Sequence, residues 1–304
     1  MSLELLNNPL LSLLQDKGRY GYTSIGVTNS GVMDEYAYFM ANKMLNNDLH
    51  SNTIEISFSN VMFKANKNTI LCITGANCEF FINEIPKKNW QTHNIKVGDI
   101  IKVGKILSGS RVYLSVSNGF MVKKDFNSNS TTLKENLGGL NGSKLSKGDI
   151  LSFNSTNAIY TTRLKKEFIP NYEEELELRV VLSSQYENFS KKEIEKFFSS
   201  TYTITNEFNR MGCKLDGESI TCDIVGIISE GISFGAIQIP KDGKPIILLK
   251  DRQTIGGYPK IGSVLAIDCF KLSQCKALKK VRFKAISLED ASTKLKLFYT
   301  SFSS

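Results

Sequence analysis

Three stretches in the second half of the chain gather residue types able to bind a small polar molecule. "NEFNRMGCKLDG" (206–217) offers Asn209 and Arg210, with Gly212 permitting a tight backbone. "ISEGISFGAIQIP" (228–240) offers Ser229, Glu230 and Gln238. "LLKDRQTIGGYPKIGSV" (248–264) brings Asp251, Arg252, Gln253 and Thr254 together ahead of Gly256, Gly257 and Tyr258. An ordinary two-residue hairpin needs no such set. A loop with this many donors and acceptors, and two glycines that allow close approach to the backbone, suits binding. The same side chains could instead form a self-satisfied Asp–Arg–Gln network that ties a wide loop down. Residue types alone leave both readings open.

Other chemistries are disfavoured by what the chain lacks. It has two histidines, His50 and His93, and no H-x-x-H or H-E-x-x-H pattern. Cys72, Cys78, Cys213, Cys222, Cys269 and Cys275 include no C-x-x-C pair, so no metal site is expected and buried reduced thiols are. Neither G-x-x-x-x-G-K-[ST] nor G-x-G-x-x-G occurs, so no nucleotide-phosphate cradle is recognisable. "GISFG" (231–235) matches the nucleophile elbow G-x-S-x-G. That motif needs a helix after the serine and a later histidine, whereas strand-like "AIQIP" follows and both histidines precede it. Ser233 reads as a turn residue.

The elements that must position these residues are mostly strands. Runs such as IEISF (54–58), TILCI (69–73), EFFI (79–82), IIKV (100–103), RVYLSV (111–116), LRVVLS (178–183), VGIIS (225–229), PIILL (245–249), SVLAI (263–267) and VRFKAI (281–286) are short and rich in β-branched or aromatic residues. Gly, Asn and Asp clusters separate them, a pattern of barrels or sandwiches. Helices are expected over 34–46 from an Asp34 cap, over 190–199 from the Ser190–Glu193 capping box, and over 287–298 from Ser287. The polar stretch near 156–176 reads as a connector between residues 1–155 and 177–304.

At 304 residues and 41% hydrophobic, the chain can hold two cored domains. A net charge of +8 raises nucleic acid as a partner. The lysines come as scattered pairs without an accompanying recognition motif, so no nucleic-acid role is expected. The opening "MSLELLNNPLLSLLQDKGRY" lacks a basic start and a small-residue cleavage site, and Asn7, Asn8 and Pro9 break its apolar run. It reads as neither signal peptide nor membrane span, and a cytoplasmic location is expected.

The order N-R-M-G, then S-E-G-I-x-x-G-A-I-Q-I-P and D-R-Q-T-x-G-G-Y-P-x-I-G, resembles the biotin-dependent carboxyltransferase family, which includes the C-type subunit of 5-oxoprolinase and the allophanate hydrolase subunit 2 type. "GRYGYTSIGVTNSGVMDEYAYFMANKMLNN" (18–47), "ITGA" (73–76), "NST" (129–131) and "LGG" (137–139) extend the resemblance over nearly the whole chain. Some positions depart from it. Ser183-Ser184-Gln185 stands where the family usually has Gly-Pro-Gln, and Phe208-Asn209 where it has Ser-Asp.

The resemblance implies a mainly β fold of two cyclophilin-like β-barrel domains with a few short helices. It implies one subunit of an ATP-hydrolysing enzyme that opens 5-oxo-L-proline to L-glutamate. Its expected partners are the B-type 5-oxoprolinase subunit, which is kinase-inhibitor-like with a cyclophilin-like fold, and the A-type subunit. ATP would be shared with or bound by those partners. Within that scheme Arg210 and Arg252 would clamp a carboxylate or phosphoryl oxygen. Glu230 and Asp251 would handle protons or orient an arginine. Asn209, Ser229, Gln238, Gln253, Thr254 and Tyr258 would bind substrate, with Gly256 and Gly257 opening the backbone. Arg19 and Asp34 are further candidates in the first half. The alternatives are carboxyl transfer from biotin to urea or a related amide, and a non-catalytic regulatory partner of a kinase-inhibitor-like subunit.

Overall fold

The computed structural model describes residues 2–302, except Ser59 and Val225. They divide into two compact units. One takes the chain up to Arg19 together with Ser30–Glu173, and the other takes Tyr20–Asn29 with the chain from Glu174 onward.

In the first unit, nine strands among the described residues share one sheet: β1 (Ser2–Leu5), β2 (Leu11–Gln15), β3 (Thr53–Ser57), β4 (Val61–Ala65), β5 (Thr69–Ile82), β6 (Ile85–Pro86), β7 (Gln91–Ile95), β8 (Ile100–Val116) and β9 (Ile150–Ser152). The spine is β8. Its later half pairs with β3 (Ile54↔Leu114), its earlier half with β4 (Val61↔Val103), and β5 follows it from Leu71↔Val116 to Ile82↔Ile101. The β5–β8 register slips between Gly75 and Phe80. Such bulges bend a strand and increase its twist, and the sheet curls around Leu3, Phe63, Leu71, Ile101, Leu114 and Leu151. TILCI with EFFI, and IIKV with RVYLSV, are therefore single bent strands rather than four short ones. The polar and glycine residues between them interrupt the apolar pattern without ending the pairing.

The α1 helix (Glu35–Met44) starts at Asp34, whose carboxylate accepts the Ala37 N–H at 3.1 Å. The other Asp34 oxygen accepts the Tyr172 hydroxyl at 2.8 Å. Arg19 is fully buried, donating to Thr132 Oγ1 (2.7 Å) and to the Ser130 and Asp125 carbonyls. Asp16 accepts the Ser128 and Ser130 hydroxyls at 2.6 Å each. Both fasten the "NST" segment. Residues 156–173 bond back along the same unit, as in Tyr160 Oη to the Leu45 carbonyl.

The second unit carries β10 (Leu176–Leu182), β11 (Thr201–Phe208), β12 (Gly212–Asp216), β13 (Glu230–Gly231), β14 (Ala236–Gln238), β15 (Ile246–Leu248), β16 (Ile255–Gly256), β17 (Lys260–Val264) and β18 (Lys280–Ala285). Seven close a barrel in the order β10-β17-β14-β15-β12-β11-β18, sealed by parallel pairing of β18 with β10 (Leu178↔Phe283). Their period-two alternation turns Leu178, Val180, Tyr202, Ile204, Cys213, Leu215, Val281 and Phe283 inward. The α2 helix (Lys191–Ser199), capped by Ser190 as expected, adds Phe197, stacked on Phe283 at 4.3 Å. The strands β13 and β16 leave the barrel as a separate two-stranded ribbon.

Two expected strands differ. SVLAI ends as a strand at Val264, and 266–272 is the α3 helix (Ala266–Leu272). A short, mostly apolar run has no period that separates strand from buried helix. The helix is fixed by Asp268, which accepts the Arg179 N–H at 2.9 Å and the Arg179 guanidinium at 2.8 and 2.5 Å. This partner holds the Arg179 charge more firmly than usual. In VGIIS, Val225 lies outside the described residues and 226–229 are not strand. The last helix, α4 (Leu288–Thr300), starts at Ser287 as expected.

All six thiols are free and five are buried. Burial pushes Cys78 up to about 12. Among the described residues no helix is long and apolar enough to cross a membrane.

The curl of the first unit turns on Gly75. It has φ +82°, and a Cβ there would lie 2.4 Å from the Arg111 carbonyl oxygen. Gly75→Ala is expected to destabilise the protein by about 2–3 kcal/mol, read as a lower denaturant midpoint. A midpoint within experimental error of wild type would show that the β5–β8 bulge relaxes freely.

Candidate functional site

The site starts at the β11–β12 hairpin. Asn209 shapes its turn: its N–H donates to the Gly212 carbonyl (3.0 Å) and its Oδ1 accepts the Met211 N–H (2.7 Å). The exposed Asn209 side chain thus has an Asx-turn role. The next residue, Arg210, is buried. Its Nε and Nη2 donate to Asp251 Oδ2 (2.8 Å) and Oδ1 (2.9 Å), a two-pronged pair. The backbones join as well, Asp251 N–H to the Arg210 carbonyl at 2.8 Å and Leu249 N–H to the Met211 carbonyl at 2.9 Å. Asp251 therefore orients Arg210 and anchors the loop to the barrel.

Arg252 is held differently. Its Nε donates to the Ile232 carbonyl (2.9 Å), Nη1 to the Leu249 carbonyl (3.2 Å) and Nη2 to Asn29 Oδ1 (3.1 Å). Every one of these acceptors is neutral. Among the described residues no carboxylate lies within ion-pair distance of it, and burial lowers its pKa from the ordinary arginine value. A guanidinium has five N–H donors, so two remain uncommitted. The Asn29 contact comes from the Tyr20–Asn29 segment, which belongs to this unit although it lies more than 200 residues away in sequence.

Beyond Arg252 the loop zips onto the SEGI stretch. Thr254 accepts the Ile232 N–H (3.1 Å), Gly257 accepts the Ile227 N–H (2.9 Å), and Glu230 stands opposite Gly256 across the ribbon. A Cβ on Gly256 would meet Ile232 Cδ1 at 2.6 Å and Gln238 Nε2 at 2.8 Å, so the ribbon lies close against the Gln238 amide and a larger residue would push those side-chain ends aside. That amide is buried in β14, and its Nε2 has no hydrogen-bond partner among the described residues. Buried polar atoms without partners are rare. Donors with nothing to donate to, the Gln238 amide and the open N–H groups of Arg252, flank one ribbon.

Glu230 meets two residues absent from the sequence-based set. Its Oε1 accepts from Lys260 Nζ and from Gln185 Nε2, the latter at 2.5 Å. Lys260 is buried at the start of β17, where it is the strand partner of Gln238. Its N–H donates to Gln185 Oε1 at 2.9 Å, and the Ser183 hydroxyl donates to its carbonyl. Gln185 was visible as the last residue of the altered Gly-Pro-Gln turn. Lys260 carried no signal in the sequence beyond its place after Pro259. Nothing in the sequence pointed to Asn29.

The remaining candidates scatter. Ser229, Gln253 and Tyr258 are exposed and Thr254 half-buried on the ribbon, without side-chain hydrogen bonds among the described residues. Arg19 and Asp34 belong to the first unit, with the fastening and capping roles given above. Ser233 lies in the turn before β14, 3.2 Å from Ser263 Oγ, with no helix after it. An open cavity of about 450 Å³ lies between 219–224 and 239–243, and no candidate residue lines it.

The chain belongs to the family of the carboxyltransferase domain, subdomains A and B, whose model matches residues 25–285. It is 30% identical over 291 residues to the C-type subunit of the 5-oxoprolinase of Haemophilus influenzae, covering 95% of this chain and 93% of that protein. Its identity to the corresponding 5-oxoprolinase subunit of Escherichia coli is 28% over 293 residues, with the same coverages. Among solved structures, the Kluyveromyces lactis urea carboxylase superposes on 99% of this chain with TM-score 0.92 at 25% identity, and the K. lactis urea amidolyase does so equally well. The chain spans 29% and 20% of those two chains.

The Arg210 and Asp251 side chains are only 7% and 12% exposed, so neutralising Asp251 takes the two-pronged carboxylate from a buried guanidinium. Asp251→Asn is expected to lower stability by about 3–5 kcal/mol. The double variant Arg210→Met/Asp251→Leu should recover a large part of that loss. Chemical denaturation of the three proteins checks it, and a single variant as stable as wild type would remove the pair from this role.

Proposed function

We propose that this chain acts as the C-type subunit of an ATP-dependent 5-oxoprolinase, contributing to the opening of 5-oxo-L-proline to L-glutamate. The carrying observation is the Arg252 guanidinium, fixed by three neutral acceptors with two N–H groups open, together with the unpartnered Gln238 amide against Gly256 of the ribbon. A small carboxylate bearing a lactam carbonyl needs that donor set. Arg252 takes the carboxylate, and Gln238 Nε2 donates to the carbonyl oxygen as negative charge builds on it. Glu230 is the proton acceptor on the same ribbon.

One guanidinium and one amide match a single small anionic group. They do not match a triphosphate, which needs a cradle of backbone N–H groups or several cations. ATP handling is therefore assigned to partners, the A-type component and the kinase-inhibitor-like B-type component. The relatives' designation as subunits supports such partners. So does the ribbon's exposed apolar rim: Ile228 is 95% exposed, and Ile255 and Tyr258 are also open to solvent. The free thiols suit a reducing cytoplasmic setting.

The K. lactis urea carboxylase match favours a second reading, carboxyl transfer to urea or a related amide with biotin on a separate carrier. Reconstitution decides between them. Glutamate formation with 5-oxoproline-dependent ATP hydrolysis should require this chain. Arg252→Met should lower kcat/KM for 5-oxoproline by roughly 10- to 100-fold, the worth of one or two charge-assisted hydrogen bonds. Equal turnover with the chain omitted would sink the reading. Turnover only with a carboxybiotin carrier would put the second reading in its place.

A further inference from the structure

The Glu230 carboxylate is fastened by one oxygen only. Its Oε1 receives both Lys260 Nζ and Gln185 Nε2, while Oε2 has no partner among the described residues. The two sides differ in access as well. The Lys260 side chain is 10% exposed and the Glu230 side chain 48%. A cation and an amide grip the carboxylate from the barrel side, and its second oxygen is left open.

The grip is itself determined. Gln185 Oε1 must face the Lys260 N–H, because that N–H is a donor, so Nε2 has to face Glu230. Ser183 accepts the Gln185 N–H at 3.2 Å and donates to the Lys260 carbonyl, welding the 183–185 turn to β17. Register then closes a ring. Glu230 stands opposite Gly256, Gly256 lies on the Gln238 amide, Gln238 pairs with Lys260, and Lys260 returns to Glu230.

We propose that Lys260 and Gln185 are positioning residues that fix Glu230 Oε1, so that Oε2 is the oxygen presented to substrate as proton acceptor. The proposal rests on the reading of Glu230 as that acceptor. In the step assigned to it, the O–H bond of an attacking water breaks as its oxygen bonds to the lactam carbonyl carbon. The proton passes to Oε2, and the electron pair of the C=O bond moves onto oxygen beside Gln238. Lys260 keeps its protons throughout. A carboxylate bound through one oxygen in a fixed direction is a better-aimed base than one free to rotate. The Ser183 hydroxyl supplies a bond to β17 that a residue without a side-chain donor could not.

The test compares Lys260→Met, Lys260→Arg, Gln185→Ala and Glu230→Gln in the reconstituted complex. Lys260→Met should lower kcat by roughly 10- to 100-fold, a part of the roughly 100- to 10,000-fold that a positioned general base contributes, with little change in KM. Lys260→Arg should restore kcat, and Glu230→Gln should remove turnover by this route. Activity lost in Lys260→Met only in step with thermal stability, or a loss carried by KM rather than kcat, would overturn the proposal.

A second readout needs no turnover. In the full-length chain the Glu230 carboxyl carbon resonance, assigned with Glu230→Gln, should move in Lys260→Met and Gln185→Ala and return toward wild type in Lys260→Arg. A resonance indifferent to both substitutions overturns the positioning role whatever the complex catalyses. Turnover of 5-oxoproline that is absent in wild type, with the resonance moving as expected, overturns only the oxoprolinase reading.

Discussion

The second unit depends on one buried ion pair. Arg210 and Asp251 meet through two hydrogen bonds, and the backbones on either side of them meet through two more. These four bonds fasten the loop after β15 to the turn between β11 and β12. With that point fixed, Arg252 is carried to the Ile232 carbonyl, and the chain from Thr254 to Gly257 can run antiparallel to 227–232. A buried pair is a poor source of net stability compared with well-packed apolar residues. What it supplies here is register. Slipping the loop by one residue would break both hydrogen bonds between two buried charges.

This separates the two tasks that residue types alone could not. The loop is both a tied-down network and an open binding surface, divided at Arg252. Asp251 is consumed by Arg210, so neither is an obvious reactive group. Arg252 bonds only to neutral oxygens, and Gln238 has a buried donor with nothing to receive it among the described residues. Their structural employment is incomplete, which is the physical difference between a scaffold residue and a ligand-seeking one.

How much was legible in the sequence follows from range. Helix starts at Asp34, Ser190 and Ser287 depend on bonds three residues long, and the capping serines and aspartate announced them. Short runs rich in β-branched and aromatic residues announced β10, β14, β15 and β18, whereas β11 and β12, with their many polar residues, were not anticipated. The bend in β5 and β8 was not legible, because a bulge depends on the partner strand. The α3 helix was missed because Asp268 is held by Arg179, 89 residues earlier. Among site residues, those in the three polar stretches could be named, but not their division of labour. Lys260 and Asn29 escaped because a buried lysine beside a glutamate and a solvated one are written with the same letter.

The pairing of β18 with β10, together with the membership of Tyr20–Asn29 in the second unit, bears on how this protein can be made. The barrel's first and last strands lie side by side, so it cannot close on the ribosome until residues near 285 have emerged. Its Arg252 anchor waits on Asn29, which has been outside since the start of synthesis. Each unit therefore holds chain from more than one stretch of the message, and a cut near residue 174 keeps every stretch of the first unit but separates the second from its Tyr20–Asn29 segment. Separate expression, circular permutation and evolutionary fission are all constrained by ten residues near the beginning.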